Sequence, residues 1–183
     1  MKPAARRNIG RAAWLGGALL LGIWLWGATA WVPRLWAGAG AHPVRPSKSL
    51  AALVHLKEAS LDRVETNPAT RLERVVLQGW VLPPGAWREN GTEPTQCDVV
   101  LGSQDRWYRV ATDAEERRDV RDVFGVHAPQ VQVGFQTRFS PVGMKGGKYR
   151  LGLVVRAGTN DLGVAWTEQL FIQDRHGFRT THE

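Results

Sequence analysis

A single cysteine, Cys97, stands in 183 residues. One thiol closes no intrachain disulfide, and five scattered histidines show no zinc-ligand spacing, so a disulfide-held miniature scaffold and a structural zinc site are both excluded. The signatures of common catalytic folds are missing as well: there is no GxSxG elbow, no P-loop, no HExxH and no GxGxxG after a strand. No repeat of fixed period is visible. A chain that is 22% charged and 43% hydrophobic is close to the globular average, which excludes wholesale disorder and a polytopic membrane protein. One domain of ordinary size remains, with no cofactor or metal expected.

The net charge of +7 has to be located before it is interpreted. Lys2, Arg6, Arg7 and Arg11 carry four of those charges with no acid among them. Beyond Arg34 the bases alternate with acids, as in Glu115-Glu116-Arg117-Arg118-Asp119, and no basic-aromatic RNA-binding pattern occurs. Nucleic acid is not an expected partner. The basic cluster is topogenic, because directly after it the 21 residues Ala12–Val32 carry no formal charge. At ~1.5 Å per residue such a helix is about 31 Å long, close to the ~30 Å hydrocarbon core of a bilayer. Trp14, Trp31 and Trp36 flank it where amphipathic rings favour the lipid–water interface.

Residues 12–32 are therefore expected to contact the membrane, as an anchor or as a cleavable signal. Ala37-Gly38-Ala39 resembles a cleavage site, and Arg6-Arg7 a twin-arginine start. The run is longer than a typical ~7–15-residue signal core and is rich in tryptophan, which favours the anchor. Either reading exports the rest of the chain. The expected placement is a single pass through the inner membrane, with the N-terminus cytoplasmic and the C-terminal domain periplasmic.

Four stretches follow: an N-terminal segment at 1–33, a Pro- and Gly-rich linker at 34–57 whose apolar spacing fits a short helix, a β-sandwich domain at 58–175, and a tail at 176–183. From Leu72 onward, short apolar or alternating runs separated by turn residues predict antiparallel strands at 72–82, 96–102, 106–112, 131–139, 149–156 and 166–173, with one more strand near 58–65. Pro83-Pro84-Gly85, Asn90-Gly91, Gly146-Gly147 and Gly158-Thr159-Asn160-Asp161 are suited to reverse the chain. The run 113–124, with acids first and bases last, predicts a helical insert. Six or seven strands at this spacing predict an all-β sandwich.

Several residues could carry chemistry. His127, Asp119, Asp122 and Ser140 supply the types for a nucleophilic triad, and Asp98, Asp105 and Asp113 the types for paired carboxylates, yet turn and surface placement explains each as simply. Trp80 and Trp166, embedded in apolar runs, are expected in the core. Trp87, in the loop after Pro83-Pro84-Gly85, is the better exposed ring, and adjacency of Trp107 and Tyr108 in one strand sends them to opposite faces. Flat rings beside polar groups suit sugar stacking. Arg109, Arg117, Arg118, Arg121 and Arg138 offer guanidinium forks for an acidic glycan or headgroup, against pairing with neighbouring acids. The ligand-binding candidates are Trp87, Trp107, Tyr108, Arg109 and Arg138, with no catalytic residue.

The order of motifs adds a resemblance. Read along the chain, GWVL (79–82), DVVLG (98–102), WY (107–108), RDVxxxF (118–124), GF (134–135) and GKYRLGLVV (147–155) form a string. It resembles the small β-sandwich accessory domain of bacterial cell-surface polysaccharide and glycosyltransferase-associated proteins. The resemblance covers a little over half the chain and implies a non-catalytic, immunoglobulin-like antiparallel sandwich, here preceded by one transmembrane helix. It implies work on cell-envelope polysaccharide, with an envelope glycan or an envelope-assembly protein as partner. A protein-interaction scaffold at the membrane surface and an unrecognised hydrolase are the alternative expectations.

Overall fold

Alternation in RVVLQGWV dictates a strand with one wet and one dry side, and residues 74–81 alternate between half-buried and buried without exception. A computed structural model describes residues 42–67, 74–174 and 177–182, all within the compact unit Ala37–Glu183. The expected membrane segment at 12–32 lies outside the described residues. Among the described residues no helix is long and apolar enough to cross a membrane.

The chain is all-β and sandwich-like. Among the described residues the ten strands are β1 (Arg45–Ser47), β2 (Ala59–Asn67), β3 (Arg74–Val81), β4 (Thr95–Gly102), β5 (Trp107–Ala111), β6 (Asp113–Glu115), β7 (Gly134–Phe139), β8 (Gly147–Ala157), β9 (Asn160–Asp174) and β10 (Gly177–His182). Two short helices interrupt them, α1 (Gly85–Asn90) and α2 (Arg118–Phe124). The strands form a six-stranded sheet in the order β1-β5-β4-β8-β9-β10 and a four-stranded sheet in the order β2-β3-β7-β6, with every paired neighbour antiparallel.

The two sheets share one apolar core. Leu77, Val81, Phe135 and Phe139 come from the smaller sheet and Val99, Leu101, Tyr149, Leu153 and Phe171 from the larger, all essentially without exposure. Each such side chain contributes about 1.5–3 kcal/mol of transfer free energy against the entropy of ordering the chain. A second cluster joins Leu82, Val120, Val126, Val131 and Val133 beneath α2, with Trp80 and Phe124 tilted against each other at 5.3 Å.

Strand β4 is buried along both faces, which an open sheet surface does not explain. Its outer face is covered by residues 48–56, which leave β1, turn with Leu53 N–H bonded to Leu50 C=O, and dock at β9 through Val54 and Leu56 on either side of Val164. This strap lays Leu50 and Leu53 onto Val100, Val154 and Val164. The short helix expected at 48–57 gives way to a single turn, because Val54 C=O and Leu56 N–H are committed to the backbone of Val164 on β9 rather than to bonds within a helix.

Three further segments differ from the sequence expectation. Residues 113–115, expected to open a helix, pair with β7 as β6, so α2 keeps only 118–124. The tail at 176–183 contributes β10 because Phe178 stacks on Phe171 at 4.9 Å and meets Phe139 edge-on in the core. The linker at 34–57 supplies β1, whose register against β5 sets Arg45 opposite Arg109 and Ser47 opposite Trp107.

Candidate binding site on the outer face of the larger sheet

Because side chains alternate across a strand, β5 sends Trp107 and Arg109 to the outer, strap-covered face and Tyr108 into the core. Tyr108 packs edge-on against Tyr149, with ring centroids 5.6 Å apart. Its hydroxyl accepts from Lys145 N–H at 3.1 Å, while the Tyr149 hydroxyl donates to Lys145 C=O at 2.5 Å. Both phenols tie down the turn before β8, and burial, the larger cause, together with neighbouring Tyr108 raises the Tyr149 pKa.

The five sequence candidates therefore separate. Trp107 and Arg109 share the outer face of the larger sheet. Trp87 sits half-buried on α1, its carbonyl receiving the Gly91 N–H that ends the helix. Arg138 is exposed on β7, beside Asp113 and Gln136 on the opposite sheet. Arg117 is engaged by Asp62 and Asp119, Arg118 by Glu116, and Arg121 by the carbonyls of Val131 and Ala128. None of these three converges on the outer face. Among the described residues His127 is exposed and makes no hydrogen bond to Asp119, Asp122 or Ser140.

The outer face carries residues that sequence reasoning did not select. Trp166, expected in the core, lies half-exposed with Trp107, and the Arg150 guanidinium stands 5.7 Å over its ring. At the other end of the same face, Asp98 projects from β4 with a side chain only 4% exposed. Two guanidiniums face it: Arg156 Nε at 3.3 Å from Oδ2 and Arg109 Nη1 at 3.8 Å. Arg109 also donates from Nη2 to Asp161 Oδ2 at 2.7 Å, and Arg156 from Nη2 to Gln96 Oε1 at 2.6 Å. Asp98 Oδ1 is buried and accepts no hydrogen bond among the described residues.

Burial, the largest influence, raises the Asp98 pKa; Arg156 and then Arg109 oppose it, Asp161 adds to it and His42 opposes it weakly. The carboxylate remains dominated by desolvation even between two cations. A cleft of about 340 Å³ opens above, with Asp98, Arg109 and Arg156 among its lining and Arg45 and His42 at its rim. His42 Nε2 lies 3.1 Å from Asp113 Oδ2. Arg45 is exposed and has no hydrogen-bond or ion-pair partner among the described residues, although it stands directly across from Arg109. Like charges directly opposed on neighbouring strands are destabilising. The lining carries three guanidiniums against one carboxylate.

A second depression, a trough of about 540 Å³, shares Arg156 with the first and is also lined by Glu93, Thr95, Gln96 and Gln132. Among the described residues that line the two, no hydroxyl is hydrogen-bonded to a His, Asp or Glu side chain, and their guanidinium, amide and hydroxyl groups suit a polyhydroxylated or anionic ligand. Among the described residues no cluster of three or more His, Cys, Asp or Glu side chains could hold a metal ion. No family model matches the chain, and no curated protein or solved structure is significantly similar to it.

Proposed function

We propose that this chain is a non-catalytic binding and accessory module of bacterial cell-envelope polysaccharide assembly, anchored in the inner membrane by residues 12–32 with its immunoglobulin-like sandwich in the periplasm. The observation that carries the binding part is Asp98. A carboxylate buried on a sheet face with one oxygen unpartnered costs the fold stability, and its place in the lining of an open cleft, where a ligand donor would satisfy it, supports a recognition role. The two indoles on the same face and the glutamines of the adjoining trough add the ring faces and amide groups that sugars engage.

The anchoring part is supported by the uncharged run after a basic cluster, and the envelope setting by the ordered motif string. The full chain, purified in detergent and applied to an array of bacterial envelope glycans, is expected to bind a defined subset of them. A fusion reporter at the C-terminus is expected to be active only outside the cytoplasm. Absence of binding to every envelope glycan, together with unchanged surface polysaccharide in a deletion strain, overturns this reading. A stoichiometric protein partner recovered by cross-linking in that case favours the scaffold alternative.

A further inference from the structure

Resting on that reading, we infer that the cleft over Asp98 takes a saccharide unit bearing a carboxylate, a uronate, rather than a neutral sugar or a bare anion. Three observations set the ligand's chemistry. The first is Arg45: an exposed, unpaired guanidinium held opposite a second arginine in a register that disfavours both. Arg109 is offset by Asp161 and Asp98, whereas Arg45 is offset by nothing among the described residues. A planar carboxylate satisfies it with two parallel N–H···O bonds, geometry for which the guanidinium fork is suited.

The second is Asp98, whose unpartnered Oδ1 calls for a donor, not another anion. A compact multivalent anion such as phosphate, drawn in by Arg45 and Arg156, would bring its charge toward that carboxylate. A sugar ring places hydroxyl donors there and carries its own charge to the exposed Arg45 instead. The third is size. At about 340 Å³ the cleft lies at the small end of the ~300–1,000 Å³ range for ligand pockets, and it shares Arg156 in its lining with the neighbouring trough. One acidic residue of a longer polymer fits this form, with the adjoining units running along Gln96 and Gln132.

The uronate carboxylate is bound by Arg45 at the rim, its hydroxyls reach the Asp98 floor, and Arg109 and Arg156 hold Asp98 in position without contacting the ligand charge first.

Calorimetric titration of the full chain in detergent with oligogalacturonate or oligoglucuronate, with matched neutral oligosaccharides, and with inorganic phosphate tests this. Acidic oligosaccharides are expected to bind at least about tenfold more tightly than neutral ones, a preference that Arg45→Gln abolishes by weakening only the acidic series. Arg45 is exposed, so that variant retains the fold, and Asp98→Asn provides a second arm that weakens acidic and neutral sugars alike. Equal binding of acidic and neutral sugars overturns the uronate assignment and leaves the glycan-binding reading intact. Phosphate binding as tightly as the uronate oligomer also overturns it, in favour of a simple anion site. No binding of any sugar overturns both.

Discussion

Trp107 and Trp166 meet edge to face with ring centroids 5.5 Å apart, although two strands separate β5 from β9. The contact exists because Gly102 is the register partner of Trp107 and Gly152 that of Trp166, and each indole lies over its glycine. A β-carbon at Gly102 would stand 2.6 Å from the Trp107 ring, and one at Gly152 2.7 Å from the Trp166 ring. Gly152→Ala is expected to displace the indole and destabilise the domain by about 1–3 kcal/mol, the range for overpacking a filled site. Urea unfolding followed by near-ultraviolet circular dichroism checks it; an unchanged midpoint and aromatic signal would contradict the packing.

Asp98 has a pH signature whose sign follows from its burial. Its folded-state pKa lies above the ordinary carboxylate value, so the folded state holds this proton more tightly than the unfolded chain. Stability therefore falls as pH rises through the folded-state pKa and is regained below the unfolded value of about 4. Replacing Arg156, the larger of the two opposing cations, with Gln is expected to push the Asp98 pKa higher still. Carboxyl-carbon NMR titration of both proteins reads the two values directly, and a lower value in Arg156→Gln would contradict the arrangement.

Asp119 behaves oppositely. Hydrogen bonding from Arg117 is the largest cause that lowers its pKa to about 2. Its contribution is present above the unfolded value of about 4 and is lost as pH falls toward about 2. Arg117→Ala is expected to return Asp119 toward the ordinary range, read by carboxyl-carbon NMR titration, and an Asp119 value still near 2 would contradict the pairing.

Tyr108 and Trp107 are neighbours with separate duties. Tyr108→Phe removes the acceptor for Lys145 N–H and is expected to cost about 1 kcal/mol of stability, with glycan affinity unchanged. Trp107→Ala is expected to loosen the strap at Leu50 and Leu53, which follows directly on β1 and its Arg45, and to lower glycan affinity only through that loss of support. Parallel measurement of thermal midpoint and binding separates the two; loss of affinity in Tyr108→Phe at unchanged stability would reverse their roles.

Much of the strand pattern was legible from residues alone, because the alternation in 74–81 and the apolar run in 96–102 each report how many of a strand's faces are covered. β10 was hidden. Its single buried anchor, Phe178, sits in an otherwise polar segment, and only Phe171 and Phe139 from elsewhere in the chain make its place. β6 was hidden for the converse reason: Asp113-Ala114-Glu115 has helix-like composition, and pairing with β7 decides its state.

The candidate site was half legible. Period-two geometry separates Trp107 and Arg109 from Tyr108, but the groups facing Arg109 arrive from β1, β4 and β9, at sequence distances no local pattern encodes. One local signal was present. Asp98 is the only charged residue in QCDVVLG, and a carboxylate inside a run buried on both faces marks either a paired charge or a site.

The most direct measurement is a side-chain-resolved NMR perturbation map of the full chain titrated with a uronate oligosaccharide. Shifts concentrated at Arg45, Asp98, Arg109 and Arg156, with smaller ones at Gln96 and Gln132, are expected. Shifts confined to Arg138 and Gln136 on the opposite sheet, or to Trp87, would contradict the account.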